Sequence, residues 1–244
     1  MLLRKCLIVL GMAGVAGVLV FGCSSSSSTP APTDDGSVGA ADVKKEANTS
    51  SSGGEDQGET STCASLTDLG TFTPSYKPPA AHQNACSQTN IDNFRTFCLG
   101  TGDAQACQSF LATAAGKACA QCILTQPTAA ALGPLVDHTS QGFVSLNTAG
   151  CLALAQGNDT CAKAISALSQ CDDAACVNCK VTDDQSLADL DACTAAAEQE
   201  VCSSYVQAAG CADLLKGPEH PASACLGTDF TSGYNTLAPL FCGP

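Results

Sequence analysis

The chain has 244 residues and carries 23 acidic against 10 basic side chains, a net charge of −13 at neutral pH. This balance argues against nucleic acid as a partner, because nucleic-acid binding needs a basic stripe. It also argues against an interfacial membrane helix, which needs Lys and Arg on its polar face. The chain contains eighteen cysteines and no tryptophan, so the role of the cysteines in folding is the main question that the composition raises.

The N-terminal segment has the features of a bacterial export signal. Arg4 and Lys5 form a basic start, residues 6–21 are apolar apart from glycines, and Gly22 precedes Cys23. This order is typical of a cleaved signal, and the apolar run is shorter than the ~20 residues that usually span a membrane. An ordinary signal with an incidental cysteine is the alternative interpretation.

The junction at Cys23 resembles the lipobox of bacterial lipoproteins. In that family the cysteine thiol carries diacylglycerol, the chain is cut before it, and the new amine is acylated. The resemblance implies a signal peptide over residues 1–22 and membrane attachment through acyl groups on Cys23. Ser24 in place of Asp implies an outer-membrane or cell-surface location.

A disordered tether is predicted over residues 23–62. Five serines, residues 24–28, follow the cysteine, and the rest is rich in Ser, Thr and Gly. Such a segment buries too little apolar surface to fold, and its root-mean-square reach is about 30–40 Å. Without the signal the chain has 23 acids and 8 bases, a net charge of −15, which we interpret as a soluble, self-repelling surface.

A cysteine-rich folded domain is predicted over residues 63–244. Leu, Ile, Val and Phe supply only 34 of its 182 residues, so disulfides at ~2–4 kcal/mol each must replace much of a large-residue core. An even cysteine count in an exported chain predicts a disulfide framework, here of eight bridges, without fixing the pairing. The sixteen cysteines are Cys63, Cys86, Cys98, Cys107, Cys119, Cys122, Cys151, Cys161, Cys171, Cys176, Cys179, Cys193, Cys202, Cys211, Cys225 and Cys242.

The local structure predicted for this domain is mainly α, as small disulfide-rich helical hairpins or a bundle. Alanine is abundant and β-branched runs are scarce. Thr89 is predicted to cap a first helix that presents Ile91, Phe94 and Cys98 on one face.

A second helix is predicted to begin at Asp103, after Gly100 and Gly102 break the first. The resulting hairpin brings Cys98 close to Cys107, which makes this pair the first predicted bridge. One broad stripe is predicted along the second helix, formed by Cys107, Phe110, Leu111, Ala114, Ala115, Ala118, Cys119 and Cys122.

The middle of the domain, residues 127–150, is less regular. Its segment Phe143–Leu146 fits either a short strand or the start of a helix, and the pattern leaves both open. Thr160 is then predicted to open a helix with an apolar face formed by Cys161, Ile165 and Leu168.

The longest helix is predicted to start at residues 182–185, which have capping-box spacing, and to end at Gly210. Cys193 and Cys202 lie nine residues apart, half a revolution in a helix. They are therefore predicted to face opposite ways and to pin the helix on two sides. Its remaining face residues are Leu187, Leu190, Ala197, Val201 and Tyr205.

A weak internal repeat is present. Residues 118–122 (ACAQC) resemble residues 175–179 (ACVNC), and each follows a helical stretch that begins at a cysteine, Cys107 or Cys161. A duplicated hairpin around 107–122 and 161–179 is therefore one hypothesis, although the spacings differ.

The two Cys-x-x-Cys pairs, Cys119/Cys122 and Cys176/Cys179, are interpreted as structural disulfide cysteines. A zinc site is disfavoured because 53 residues separate the pairs, against the usual 15–20, and because an oxidising compartment would consume the thiolates. A redox-active pair needs a thiolate stabilised by positive charge, and only Lys117 and Lys180 lie nearby.

The histidines do not form a recognisable catalytic motif. His82, His138 and His220 are each flanked by loop-forming sequence and are predicted to be solvated loop residues. Asp137, His138 and Ser140 contain the residue types of a catalytic triad, but sequence adjacency is not triad geometry.

An acidic cluster surrounds one loop and helix start. Calcium binds carboxylate oxygens, but the segment lacks an EF-hand loop, so helix capping and a solvated face are the favoured interpretation. No cofactor and no metal is predicted. The cluster comprises Asp172, Asp173, Asp183, Asp184, Asp189 and Asp191.

The pattern as a whole resembles that of uncharacterised cysteine-rich lipoproteins of myxobacteria. The resemblance rests on residues 142–151, the two Cys-x-x-Cys pairs and the closing residues 239–243, and it implies no known activity. Such chains sometimes carry the name tryptophan synthase alpha chain. That enzyme is a TIM barrel of eight strand–helix units, whose alternation and carboxylate pair this sequence lacks.

The sequence therefore predicts a non-catalytic surface domain that binds a protein or glycan, or that has a structural role in the envelope. The rival hypothesis is a secreted enzyme, or a thiol-disulfide oxidoreductase that uses one of the Cys-x-x-Cys pairs. A cleft that gathers His, Asp or a free Cys would favour the rival.

Overall fold

The structure is a computed structural model that describes residues 6–7, 63–99, 103–157, 159–217, 219–227 and 229–244. The predicted signal peptide, apart from Cys6 and Leu7, lies outside the described residues. So do the tether before Cys63, including Cys23, and the predicted breakers Gly100 and Gly102.

The described part is mainly helical, as predicted. Two 3-10 helices, Gly210–Leu215 and Pro221–Leu226, precede the last α-helix. The α-helices are α1 (Gln88–Cys98), α2 (Ala104–Ala112), α3 (Ala114–Ile123), α4 (Thr148–Gln156), α5 (Thr160–Ala175), α6 (Asp184–Gln199), α7 (Ser203–Ala209) and α8 (Phe230–Cys242). The strands are β1 (Cys6–Leu7), β2 (Leu124–Thr125), β3 (Leu135–His138) and β4 (Phe143–Leu146).

The first helix begins earlier than predicted. Ser87, not Thr89, is the N-cap, because its hydroxyl accepts a hydrogen bond from the Asn90 amide at 3.2 Å. Ile91 and Phe94 are buried, as their shared face predicted. Asp103 caps α2 as predicted, and it accepts from the Gln105 amide at 2.8 Å.

The single stripe predicted along the second helix is wrong, because Thr113 interrupts the helix. Its hydroxyl donates to the Phe110 carbonyl at 2.8 Å and accepts from the Gly116 amide at 2.9 Å. The side chain thus ends α2 and caps α3. The interruption leaves part of the predicted stripe exposed, namely Leu111, Ala114, Ala115 and Ala118.

The long helix predicted to end at Gly210 is two helices. Glu200, with φ −115° and ψ −101°, leaves the helical conformation after α6, and α7 starts three residues later. A capping box does open α6, but it is shifted by one residue and formed by Asp183 and Ser186. The two predicted pinning cysteines, Cys193 and Cys202, consequently lie in or beside different helices.

Residues 124–146 contribute three strands to a small four-stranded sheet, and residues Phe143–Leu146 form a strand rather than the start of a helix. The strand order is β1-β4-β3-β2. Strands β3 and β4 form an antiparallel hairpin, β1 pairs antiparallel with β4, and β2 pairs parallel with β3. Gly142 in the hairpin turn has φ +85°, and a Cβ there would lie 2.1 Å from the Val181 carbonyl oxygen, so the turn requires glycine.

All sixteen cysteines from Cys63 to Cys242 are paired, as the even count predicted, and Cys98 bonds to Cys107 as expected. Cys193 and Cys202 do not pin opposite sides of one helix, because their partners, Cys176 and Cys171, both lie at the C-terminal end of α5. The other bridges are Cys63–Cys179, Cys86–Cys119, Cys122–Cys242, Cys151–Cys225 and Cys161–Cys211.

The buried residues form two clusters. The large-residue core has 22 members, of which 12 are Ile, Leu, Val, Phe or Tyr and 6 are Cys; it joins α1, α2, α3, α4, α8 and the sheet. The cystine core has ten members and surrounds the second half of α5 and the helix α6. Five of the ten are cysteines, the full set being Phe143, Cys171, Ala175, Cys176, Cys179, Val181, Leu190, Cys193, Ala197 and Cys202.

Helix α5 takes part in both clusters. Ala162 and Ile165 in its first half pack in the large-residue core. Leu168, Cys171 and Ala175 in its second half pack in the cystine core. The face of α5 that lies between these contacts borders an open cleft.

A candidate ligand-binding cleft

The cleft has a volume of about 430 Å³, within the range of 300–1,000 Å³ typical of small-molecule sites. Helix α5 forms one wall over residues 165–173, which is about 12 Å of helix at ~1.5 Å per residue. The other walls come from β3 and β4, the start of α4, the end of α6 and the first 3-10 helix.

His138, the last residue of β3, is buried in the wall of this cleft. It is 6% exposed, and its ring stacks on Phe143 with the centroids 4.6 Å apart. The prediction of a solvated loop histidine is therefore wrong at this position, because residues 135–146 fold back as a hairpin. His82 is exposed, as predicted, and His220 is half-buried.

The hairpin gives His138 different neighbours from those that its sequence position suggested. Its Nε2 lies 3.0 Å from the Ser145 hydroxyl and 3.9 Å from a carboxylate oxygen of Asp173. Ser140 is exposed. Asp137 accepts from the Gln126 amide at 2.8 Å and from the Thr139 hydroxyl. The cleft thus collects a serine, a histidine and an aspartate, but not the three adjacent residues.

This arrangement differs from a catalytic triad in one decisive respect. A triad needs the carboxylate on Nδ1 and the nucleophile on Nε2, so that one nitrogen is oriented while the other accepts a proton. In this cleft the Ser145 hydroxyl and Asp173 approach the same nitrogen of His138. The group is a polar cluster in the cleft wall with a histidine at its centre.

Acidic side chains form a further part of the cleft. Asp172 and Asp173 lie in the last turn of α5, and Glu198 lies near the end of α6; all three are half-buried and line the cleft. Asp213 lies on the first 3-10 helix, where its contact with the Lys216 ammonium lowers the pKa of that carboxyl.

The six aspartates of the predicted acidic cluster are thereby dispersed. Two line the cleft, whereas Asp183 caps α6 and Asp189 accepts from Gln185 at 3.0 Å. Among the described residues, one group of three potential metal ligands comes together, and it contains Cys63, Cys179 and Cys193. Their sulfurs are consumed in two disulfides, so they do not offer thiolates.

The N-terminus of α4 also opens on the cleft. Asn147 caps the helix by accepting from the Gly150 amide at 2.8 Å, and its own amide donates to the Leu132 and Gly133 carbonyls. The next residue, Thr148, is 7% exposed. Its buried hydroxyl has no hydrogen-bond partner within the described part of the chain.

The two Cys-x-x-Cys pairs lie away from the cleft lining and are bonded differently. Cys119 and Cys122 bond to Cys86 and Cys242, the second from α8. Cys176 bonds forward to Cys193, and Cys179 bonds back to Cys63. Neither pair closes on itself and the bonding orders differ, which gives no support to a duplicated hairpin. These four cysteines are at most 4% exposed.

Sequence reasoning missed Ser145, Thr148 and Glu198 as cleft residues. A signal for the hairpin was present, because Leu135-Val136 and Phe143-Val144 flank a short polar segment that ends in Gly142. A hairpin would have placed His138 beside Phe143 and Ser145. Nothing in the sequence pattern points to Glu198.

No family model, curated protein or solved structure matches this chain. Within the described residues, no helix has the length and hydrophobicity needed to cross a bilayer. Eight disulfides are typical of an exported protein, since the cytosol keeps thiols reduced.

Proposed function

We propose that this chain is a lipid-anchored envelope or cell-surface protein whose disulfide-stapled domain binds a ligand in the cleft without transforming it. The cleft carries the proposal, because polar groups converge in it between walls that covalent bonds hold in place. Cys151–Cys225, Cys161–Cys211 and Cys171–Cys202 each tie an element of the cleft wall to a neighbour. Preformed sites of this kind avoid the ordering cost of binding.

The anchor is Cys23, and the basis for it is the basic start, the apolar run and Gly22 before the cysteine. Mass spectrometry of the mature N-terminus should find thioether-linked diacylglycerol and an acylated amine on Cys23. The Cys23→Ser protein should lose the lipid and partition into the aqueous phase. A mature chain that begins elsewhere and carries no lipid would contradict the anchor while leaving the cleft unaffected.

Binding in the cleft is tested with a chemically mixed fragment library and ligand-observed NMR on the Cys23→Ser protein. Ser169 is exposed and lines the cleft, so Ser169→Trp should fill part of the opening and abolish the binding of cleft ligands. Ser109→Trp, at an exposed site of α2, is the matched control and should bind as the parent does. If the parent binds nothing, or if both variants bind equally, the cleft is not a binding site.

A hydrolase is the second candidate, because the cleft does gather Ser145, His138 and Asp173. The geometry disfavours a hydrolase, because Ser145 and Asp173 approach the same nitrogen of His138 instead of one nitrogen each. A fluorophosphonate probe should fail to label Ser145, and Ser145→Ala should leave any background ester hydrolysis unchanged. Labelling of Ser145 with loss of turnover in the alanine variant would replace the binding function by an esterase activity.

The thiol-disulfide oxidoreductase has less support than either. Redox-active cysteines need exposure and a stabilised thiolate, whereas Cys119, Cys122, Cys176 and Cys179 are buried in bridges to distant residues. An insulin-reduction assay should therefore show no turnover. The tryptophan synthase name receives no support from these residues.

A further inference from the structure

The exposure of the cysteines shows where a thiol from solvent reaches the disulfide framework. Thirteen of the sixteen bridged cysteines are buried, and burial hinders the approach of an attacking thiolate. Exchange between a thiol and a disulfide depends on this access and on which sulfur is attacked. Three cysteines are half-buried, and each belongs to a different bridge: Cys63, Cys98 and Cys211. These three bridges are therefore the ones that a reductant should open first.

The Cys63–Cys179 bridge differs from the other two because a second bridge lies beside it. The sulfurs of Cys63, Cys179 and Cys193 all lie within 4.8 Å of one another, and Cys193 is bonded to Cys176. In the part of the chain that the structure describes, no other bridge has a third cysteine sulfur that close to both of its own. Two disulfides at this distance can exchange partners, because a thiolate released from one lies beside a sulfur of the other.

Burial decides which sulfur of the Cys63–Cys179 bridge is attacked. Cys63 is half-buried, whereas Cys179 is 0% exposed. A thiolate from solvent therefore bonds to the Cys63 sulfur, and the electron pair of the broken S–S bond leaves on the Cys179 sulfur. The Cys193 sulfur lies at most 4.8 Å from this new thiolate. A disulfide of ~2.05 Å forms between them after the two sulfurs approach by about 3 Å.

Attack on Cys193 replaces one bridge by another. The Cys179–Cys193 bond forms, the Cys176–Cys193 bond breaks, and Cys176 takes the electron pair and then a proton. The old bridge spans 17 residues of sequence, and the new one closes a loop of similar length, so loop entropy favours neither strongly. Cys63 is left as a mixed disulfide with the reductant. The second thiol of a dithiol resolves it, which leaves Cys63 as a thiol and the reductant oxidised.

The exchange frees one end of the segment that joins the predicted tether to α1. This segment, residues 63–85, is called the arm. The Cys63 bridge holds its first residue, and the Leu66 amide donates to the Ala175 carbonyl at 2.9 Å. Lys77, farther along the arm, lines the cleft. Loss of the Cys63 bond therefore loosens the connection between the tether and the cleft wall, while Cys193 in α6 stays bonded to the segment after α5.

We propose that Cys63 is a redox modification site, at which a dithiol reductant attacks and starts an exchange that ends at Cys176. The product has thiols at Cys63 and Cys176, a Cys179–Cys193 bridge and a loosened arm. One equivalent of dithiol is consumed per domain, so the reaction is not turnover on another protein. Because it does not involve a ligand in the cleft, its failure would leave the proposed function unaffected.

The test is limited reduction of the Cys23→Ser protein with dithiothreitol or with reduced thioredoxin, followed by alkylation at acid pH and mass-spectrometric mapping of the bridges. A Cys179–Cys193 bridge should appear together with alkylated Cys63 and Cys176. Exchange with both reagents admits a protein partner, and exchange with dithiothreitol alone restricts the reductant to small dithiols. Alkylated Cys63 and Cys179 without the new bridge, or no reaction at Cys63, would overturn the proposal.

The Cys98–Cys107 and Cys161–Cys211 bridges are internal controls in the same protein. Each has one half-buried cysteine, but within the described residues neither has a third cysteine sulfur within 4.8 Å of both of its own. Their reduction should therefore give thiols only at their own two cysteines. New pairings at these bridges as well would indicate general scrambling and would overturn the assignment of the exchange to Cys63.

Two further measurements separate the exchange from its structural consequence. The Cys176→Ala/Cys193→Ala protein lacks the second bridge, so reduction should stop at thiols on Cys63 and Cys179. If this variant does not fold, mapping of the parent still decides the exchange. Hydrogen exchange of residues 63–75 in the parent should become about tenfold faster after the new bridge forms, while α6 stays protected. An arm that stays protected after the pairing has changed would overturn the loosening.

Discussion

The two cores of this domain differ in what fills them: large apolar side chains in one and cysteines in the other. In the large-residue core, side chains such as Tyr234, Leu237 and Phe241 are fully buried, and the Tyr234 hydroxyl donates to the Ile91 carbonyl at 2.8 Å. In the cystine core, half of the ten buried residues are cysteines and two more are alanines. Burial of a large apolar side chain contributes ~1.5–3 kcal/mol, whereas a bridge acts mainly by restricting the unfolded chain.

The difference explains where the cleft lies. The large-residue core fills its interior with bulky side chains, and the cystine core holds its elements together with few of them. Helix α5 belongs to both, so its exposed face borders a space that neither core fills. Bridges from Cys161, Cys171 and Cys176 tie α5 and the residue after it to the first 3-10 helix, to the start of α7 and to α6.

The largest expected effect comes from deleting one bridge in each core with matched loop lengths. Cys171–Cys202 and Cys86–Cys119 close loops of 31 and 33 residues. The loop-entropy loss is therefore about 3.7 kcal/mol in both double alanine variants. We expect the Cys171→Ala/Cys202→Ala protein to lose more stability in urea unfolding, and to lose hydrogen-exchange protection in α6 and α7 selectively.

The Cys86→Ala/Cys119→Ala protein is the control for that comparison. Its large buried side chains should keep α1, α3 and α8 protected from exchange despite the same entropic loss. Equal loss of protection in the two variants would show that the cores do not differ in their dependence on bridges.

A smaller effect is expected for leucine truncation, and here the large-residue core, not the cystine core, should lose more stability. Leu237 in the large-residue core and Leu190 in the cystine core are 0% and 1% exposed. Leu237→Ala should cost about 3–4 kcal/mol, because its bulky neighbours cannot close the cavity, and Leu190→Ala should cost about 2 kcal/mol. Chemical denaturation of both variants measures the difference, and a larger cost for Leu190→Ala would reverse the comparison.

The smallest effect is an acid response at the start of α6, in the cystine core. Hydrogen bonds from the Ser186 amide and hydroxyl hold the pKa of Asp183 below its ordinary value. A depressed folded-state pKa means that this stabilisation is present above the unfolded pKa and is lost as the pH falls through the folded value. Asp183→Asn keeps a cap acceptor but does not titrate, so this part of the acid destabilisation should disappear.

Exchange protection of α6, followed from neutral pH to below pH 4, measures this response. The large-residue helix α1, capped by the neutral Ser87, serves as the internal reference. If Asp183→Asn shows the same acid dependence as the parent, another carboxylate is responsible.

The sequence by itself determined the helical class, the complete set of sixteen bridging cysteines and the Cys98–Cys107 pair. The first two follow from the composition and the even cysteine count of the whole domain, and the third follows from local spacing; none of them requires knowledge of the tertiary structure. Local pattern also located the caps of α1 and α6 to within one or two residues. The local pattern did not predict the helix breaks at Thr113 and Glu200. Alanine-rich sequence favours a continuous helix, so such breaks depend on side-chain and tertiary contacts.

Only the tertiary structure decided the other seven bridges and the cleft. Cys63 and Cys179 are 116 residues apart, and Cys122 and Cys242 are 120 apart, so no local preference connects them. His138, Asp173 and Thr148 likewise come from a strand and two helices that meet through packing. The sequence shows that these residues are polar. It does not show that they lie close together, because that depends on how the two cores position α5 against the hairpin of β3 and β4.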